Sequence, residues 1–134
     1  MTSTAGACTN AEEPETPSCV AVARDCAPLY EPTFEALFLR TLNPSCGIEG
    51  STCHQGGGAG TKGGLTFDSP RSSYAALLDT SRSWRLVAPG DPECSKVVYR
   101  IASHDLGEVM PPGRPLSAAE QCTIVTWIAR GAPP

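Results

Sequence analysis

The chain has no long apolar run and no gathering of basic residues, and each absence removes a class of function. No stretch approaches the roughly 20 apolar residues that a membrane-spanning helix needs, and no hydrophobic signal core follows Met1. Lysine and arginine total 10 against 14 aspartates and glutamates, a net charge of −4. The basic residues form no cluster, so the face that nucleic acid or an anionic membrane surface requires is missing. An acidic surface suits partners that present basic patches instead. Aromatic residues make up only 6% of the chain, which leaves a modest apolar interior. A Ser-His-Asp order, a phosphate-cradling Gly-Lys-Ser/Thr loop and paired carboxylates are also missing, so hydrolase and transferase readings have little support.

Glycine and proline, by contrast, are abundant at 13 each, and seven cysteines fall within 134 residues. That length is one domain's worth of material, much of it turns and loops. So many cysteines without paired Cys-x-x-Cys knuckles fit an oxidising compartment better than the cytosol. An exported protein is expected, its signal removed from the chain. Cys8 follows Ala5-Gly6-Ala7 and precedes a polar run to Pro17. That setting resembles the lipid-modified first cysteine and tether of a bacterial lipoprotein; an unpaired leftover cysteine is the plainer reading. The expected location is the periplasm, free or anchored to the outer membrane.

Residues 1–18 offer almost nothing to bury and are expected to be a flexible linker, with one domain over 19–134. Four helices are expected. Thr33 can cap the first, which carries Phe34, Leu37, Phe38, Thr41 and Leu42 on one face and ends at Asn43-Pro44. Ser69-Pro70 starts a second with Tyr74, Leu77 and Leu78 inward. Asp91-Pro92 starts a third with an apolar stripe of Cys94, Val97, Val98 and Ile101. Ser117-Ala118-Ala119-Glu120 is a capping box opening a fourth, which Gly131 ends. The only strand-like piece is Leu65-Thr66-Phe67. The class is therefore all-α, a small disulfide-stapled domain with long Gly/Pro-rich loops. Cys19 and Cys26 are close enough to close one loop, and a disulfide between them is expected. A Cys94–Cys122 bond would clamp the third helix to the fourth and stabilise by roughly 3 kcal/mol.

Cys53 and His54 are adjacent, Cys46 precedes them, and Met110 follows in Val109-Met110-Pro111-Pro112-Gly113. These residue types are those of a covalently bound c-type haem: two thiols that add across porphyrin vinyl groups, an imidazole on one side of the iron and a thioether on the other. The usual attachment is Cys-x-x-Cys-His, whereas six residues separate Cys46 from Cys53, so extra residues must loop out. Gly47 and Gly50 allow a tight bulge.

Lys62-Gly63-Gly64-Leu65, Val87-Ala88-Pro89-Gly90-Asp91-Pro92-Glu93-Cys94-Ser95, Met110-Pro111-Pro112-Gly113, Leu116-Ser117 and Trp127-Ile128-Ala129-Arg130-Gly131-Ala132 occur in that order. Together they resemble the motifs of planctomycete-type cytochrome c domains, versions of which abound in myxobacterial lipoproteins. The resemblance covers about residues 30 to 132. It implies a cytochrome c-like fold whose final helix packs against the first, with one covalent haem c per chain. Thioethers would form at Cys46 and Cys53, with His54 and Met110 as the axial iron ligands. Leu65, Tyr74, Leu77 and Ile101 are candidates for the haem wall. Arg82, Arg85, Lys62 and the Trp84 indole are candidates for the propionates. Such a site passes electrons between redox partner proteins, alone or within a larger redox complex, and is not an enzyme. A peroxidase-type side activity would need an open distal position, and Met110 argues against one.

Competing readings remain for several of these residues. His104 is a second distal candidate or an ordinary solvated loop histidine. Met110 could be core filler. Cys46 and Cys53 could close a disulfide, giving a haem-free exported binding or structural module on the same fold. Cys46, Cys53, His54 and His104 could instead hold tetrahedral Zn²⁺, although adjacent ligands 53 and 54 make that awkward.

Overall fold

The computed structural model describes residues 17–46, 67–104, 109–111 and 114–134. Among these residues there are four α-helices and no strand, in agreement with the all-α expectation: α1, Phe34–Leu37; α2, Pro70–Leu77; α3, Lys96–Ala102; and α4, Ala118–Ala129. Residues 1–16, most of the expected linker, lie outside the described residues, as does most of the Leu65-Thr66-Phe67 piece.

Three helix starts follow their side chains. The Thr33, Ser69 and Ser117 side chains each accept a hydrogen bond from an amide of the first turn. At α4 the capping box is complete, with the Ser117 amide donating back to the Glu120 carboxylate. The far end of α4 closes as a Schellman turn, with Gly131 at φ +97°. The Ala132 amide donates to the Trp127 carbonyl at 3.0 Å and the Gly131 amide to Ile128 at 2.9 Å.

Two elements depart from expectation. The first helix does not stop at Asn43-Pro44; α1 runs on as a π-helical segment, Phe38–Cys46, with Pro44 inside it. Proline lacks the amide that would serve the carbonyl of residue 40 in an α-helix. An i→i+5 register brings the amide of Ser45 opposite that carbonyl instead. The third helix begins at Lys96, after Cys94. Its approach is a turn in which the Cys94 amide donates to the Asp91 carboxylate at 3.2 Å and the Ser95 hydroxyl to the Asp91 carbonyl at 2.8 Å. Ser95 also accepts from the Ala88 amide at 2.9 Å, so its hydroxyl is engaged by the turn and caps nothing.

The core joins α1 to α4, as the resemblance implied. The Phe34 ring lies 5.1 Å from Tyr74 and 5.5 Å from Trp127, centroid to centroid. Trp127 and Ile128 are 2% and 0% exposed. The polar tips are satisfied: Tyr74 donates its hydroxyl to the Ala132 carbonyl and Trp127 its indole N–H to Pro133, both at 2.9 Å. Leu77, Val87, Val98 and Ile101 complete this interior.

The disulfides correct the expected pairing: Cys19 bonds Cys94 and Cys26 bonds Cys122. Residues 19–29 do not fold back as a local loop but run as a strap across the entry to α3 and onto α4. The Val20 amide donates to the Glu93 carbonyl at 2.8 Å. The Leu29 amide reaches the Thr123 hydroxyl at 2.9 Å and the Ala119 carbonyl at 3.2 Å. Arg24 forks both oxygens of Glu93 at 2.8 and 2.6 Å. That contact lowers the Glu93 carboxyl and raises the Arg24 guanidinium. Each cysteine meets the partner beneath it along the strap, and Cys94, standing before α3 rather than on it, is beneath Cys19.

Candidate functional site

Cys46 is placed by the π-helical segment. Phe38, Thr41 and Leu42 bury one side of that segment, and the Asn43 side chain donates to the Phe67 carbonyl at 2.8 Å. This bond ties together the two chain ends that flank residues 47–66, the stretch bearing Cys53, His54 and Leu65. These three residues, with Lys62, lie outside the described residues. Cys46 itself is partly buried and packs against the core. Burial, helped by the charge of Glu120, pushes its thiol up to about 12. It is the one free cysteine among the described residues.

Met110 sits beyond α3. Its amide donates to the Arg100 carbonyl at 3.0 Å, and the neighbouring Val109 is 4% exposed. Met110 is partly exposed. Its main chain is thus held at the end of α3, beside a buried neighbour. His104, six residues earlier, is exposed.

The proposed propionate partners divide. Trp84 is 4% exposed and donates its indole N–H to the Cys94 carbonyl at 3.0 Å. Its ring is tilted against Tyr99, with centroids 5.1 Å apart, so it belongs to the scaffold and its N–H is already used. Arg85 differs: its Nε is buried with no hydrogen-bond partner among the described residues. A buried donor of this kind is costly unless something accepts from it. The Arg85 carbonyl accepts from the Lys96 amide at 3.0 Å, which fixes the guanidinium's root at the start of α3.

Of the proposed haem-wall residues, Leu77 and Ile101 are 2% and 4% exposed and Tyr74 packs beside them. Leu77 lines an apolar cavity of about 10 Å³ with Leu37, Leu42, Val87, Val97, Ile124 and Trp127. A cavity of that size and lining stays dry and is far too small for a porphyrin. Among the described residues no three His, Cys, Asp or Glu side chains gather to hold a metal ion.

The model of the family described as planctomycete cytochrome C matches residues 51–113, just under half of the chain. The matched stretch contains Cys53, His54, Leu65, Arg85 and Met110, and begins after Cys46. It is consistent with a planctomycete-type cytochrome c domain. No curated protein and no solved structure matches the chain significantly.

Proposed function

We propose that the chain is a single-haem electron-transfer module, with the Cys53-His54 segment holding the porphyrin covalently and His54 and Met110 as the iron's axial ligands. The observation that carries this reading is the placement of Met110. It lies within the same family-matched segment as Cys53-His54, on a main chain anchored at Arg100. The donor set fits the group: an imidazole, a thioether, and a buried Arg85 Nε that a propionate oxygen would satisfy. Bound haem supplies one-electron exchange between Fe(II) and Fe(III).

The residues of the chain do the rest. His54 would hold the iron through its imidazole and Met110 through its thioether, a pair suited to electron exchange with little rearrangement. The soft sulfur of Met110 favours the reduced form. Pro111 restricts the main chain beside it and lowers the ordering cost of ligation. Leu65, Tyr74, Leu77 and Ile101 offer an apolar wall.

The redox partners we infer present basic patches to an acidic carrier. Two disulfides favour an oxidising compartment, so the domain, residues 19–134 behind a linker, is read as exported to the periplasm. A lipid anchor at Cys8 or membership of a redox complex fits the same reading. Among the described residues no helix is long and apolar enough to cross a membrane.

The test is the full chain matured in a periplasm with a haem-attachment system. The expected product is red, with a sharp reduced α band, a covalent haem increment in its denatured mass, and colour retained after acid-acetone extraction. A colourless product of unmodified mass overturns the assignment. A second reading, a haem-free exported module, draws on the core that already closes through Phe34, Tyr74 and Trp127 and on the two long-range disulfides. It predicts that colourless product with full stability.

A further inference from the structure

We propose that the haem is attached by one thioether, at Cys53, and that Cys46 remains a free thiol belonging to the packing of the fold. The inference rests on the haem reading above and decides between its two candidate cysteines.

Four observations point this way. Cys46 is the last residue of a helical segment fixed by Phe38, Thr41 and Leu42 beneath and by the Asn43–Phe67 hydrogen bond beside it. It packs against the core instead of projecting freely from a loop. Drawing its sulfur out to a vinyl group would give up that packing and unwind the segment's last turn. The second observation is spacing: with Cys53-His54 as the last pair of an attachment motif, the usual first cysteine falls at position 50, which is Gly50. Third, the family match begins at residue 51 and so includes Cys53 and His54 without Cys46. Finally, the environment of Cys46 keeps it protonated and unreactive at neutral pH, because burial and the charge of Glu120 both disfavour the thiolate.

The chemistry balances without an oxidant. The Cys53 S–H adds across one vinyl C=C: sulfur bonds the carbon next to the ring, the hydrogen goes to the terminal carbon, and no electrons leave the system. The other vinyl keeps its double bond, remains conjugated with the macrocycle and moves the reduced α band to longer wavelength than two thioethers would give.

The experiment is thiol mapping of the matured full-length protein, alkylated under denaturing, non-reducing conditions and digested with trypsin. Cys46 and Cys53 share the peptide between Arg40 and Lys62. One haem with one alkyl group, the latter on Cys46, is the expected result. One haem with no alkyl group means two thioethers and overturns the inference while leaving the haem reading intact. A peptide without haem, whether its cysteines are alkylated or joined to each other, overturns both. Cys46→Ser is expected to keep its acid-acetone-resistant colour and its red-shifted α band, whereas Cys53→Ser loses covalent attachment. Should Cys46→Ser fold poorly, the peptide map of the unsubstituted protein still decides.

Discussion

The Met110 amide donates to the carbonyl of Arg100 at 3.0 Å, which ties the proposed distal ligand to the last turn of α3. The main chain at Met110 is therefore held independently of its side chain, and replacing the side chain should leave the segment in place. With Met110 on the iron as proposed, Met110→Ala is expected to bind carbon monoxide in the reduced state and the unsubstituted protein is not, with unchanged denaturation midpoint of the polypeptide. Carbon monoxide binding to both proteins alike would remove Met110 from the iron.

The disulfide pairing can be read directly, because Cys19, Cys26, Cys94 and Cys122 fall on four separate tryptic peptides. A non-reducing digest should give the 19–94 and 26–122 pairs. In the chain-entropy picture, loops of 75 and 96 residues each stabilise by about 4–5 kcal/mol when closed singly. Removing either pair by double serine substitution should lower unfolding free energy by a large part of that, measured by urea titration. A 19–26 pair in the digest would contradict the strap.

Stability should fall in alkali through Cys46. Its folded thiol is raised to about 12, while an unfolded cysteine titrates near about 8.5. The unfolded chain thus loses its proton first, so the contribution is fully present below about 8.5 and is lost as pH rises towards 12. The slope approaches about 1.4 kcal/mol per pH unit within that window. Tyr30 is also raised, chiefly by burial, and adds loss of the same sign, so the comparison is with Cys46→Ala, whose curve should be flatter. Identical slopes would mean that Cys46 is not a buried thiol in the folded protein.

Trp127 joins the first and last helices through Phe34 and Tyr74, and is 2% exposed. Trp127→Ala should cost about 3–5 kcal/mol, and Phe34→Ala a similar amount, by urea denaturation with disulfides intact. The double variant should lose less than the sum, since the two rings contact each other. Additive losses would argue against that contact.

Local chemistry was legible where a side chain within three residues decides the outcome. Thr33, Ser69 and Ser117 start helices because their hydroxyls have an amide to serve, and Gly131 ends one because its conformation has φ +97°. Asp91 looked like the same device, yet its carboxylate and carbonyl are used in the turn holding Cys94 and Ser95, so α3 starts later. Pro44 looked like a terminator, and the widened helix passes through it. The cysteine pairing was not legible, since it depends on where residues 19–29 cross α3 and α4, a tertiary fact with no local signature. At the candidate site, the roles proposed for Cys53, His54 and Met110 rest on motif. The Nε of Arg85, without a partner among the described residues, needed coordinates to distinguish it from the engaged indole of Trp84.

The two cystines interlace, 19 with 94 and 26 with 122, so their spans overlap without nesting. Sever the backbone once at any point between 19 and 122 and at least one bond still bridges the break; between 26 and 94 both do. The stretch that carries Cys53 and His54 lies inside the doubly bridged interval. Insertion, deletion or a protease nick there leaves one covalent molecule whose remaining parts stay in register. A scaffold of this kind tolerates changes of length between residues 46 and 67.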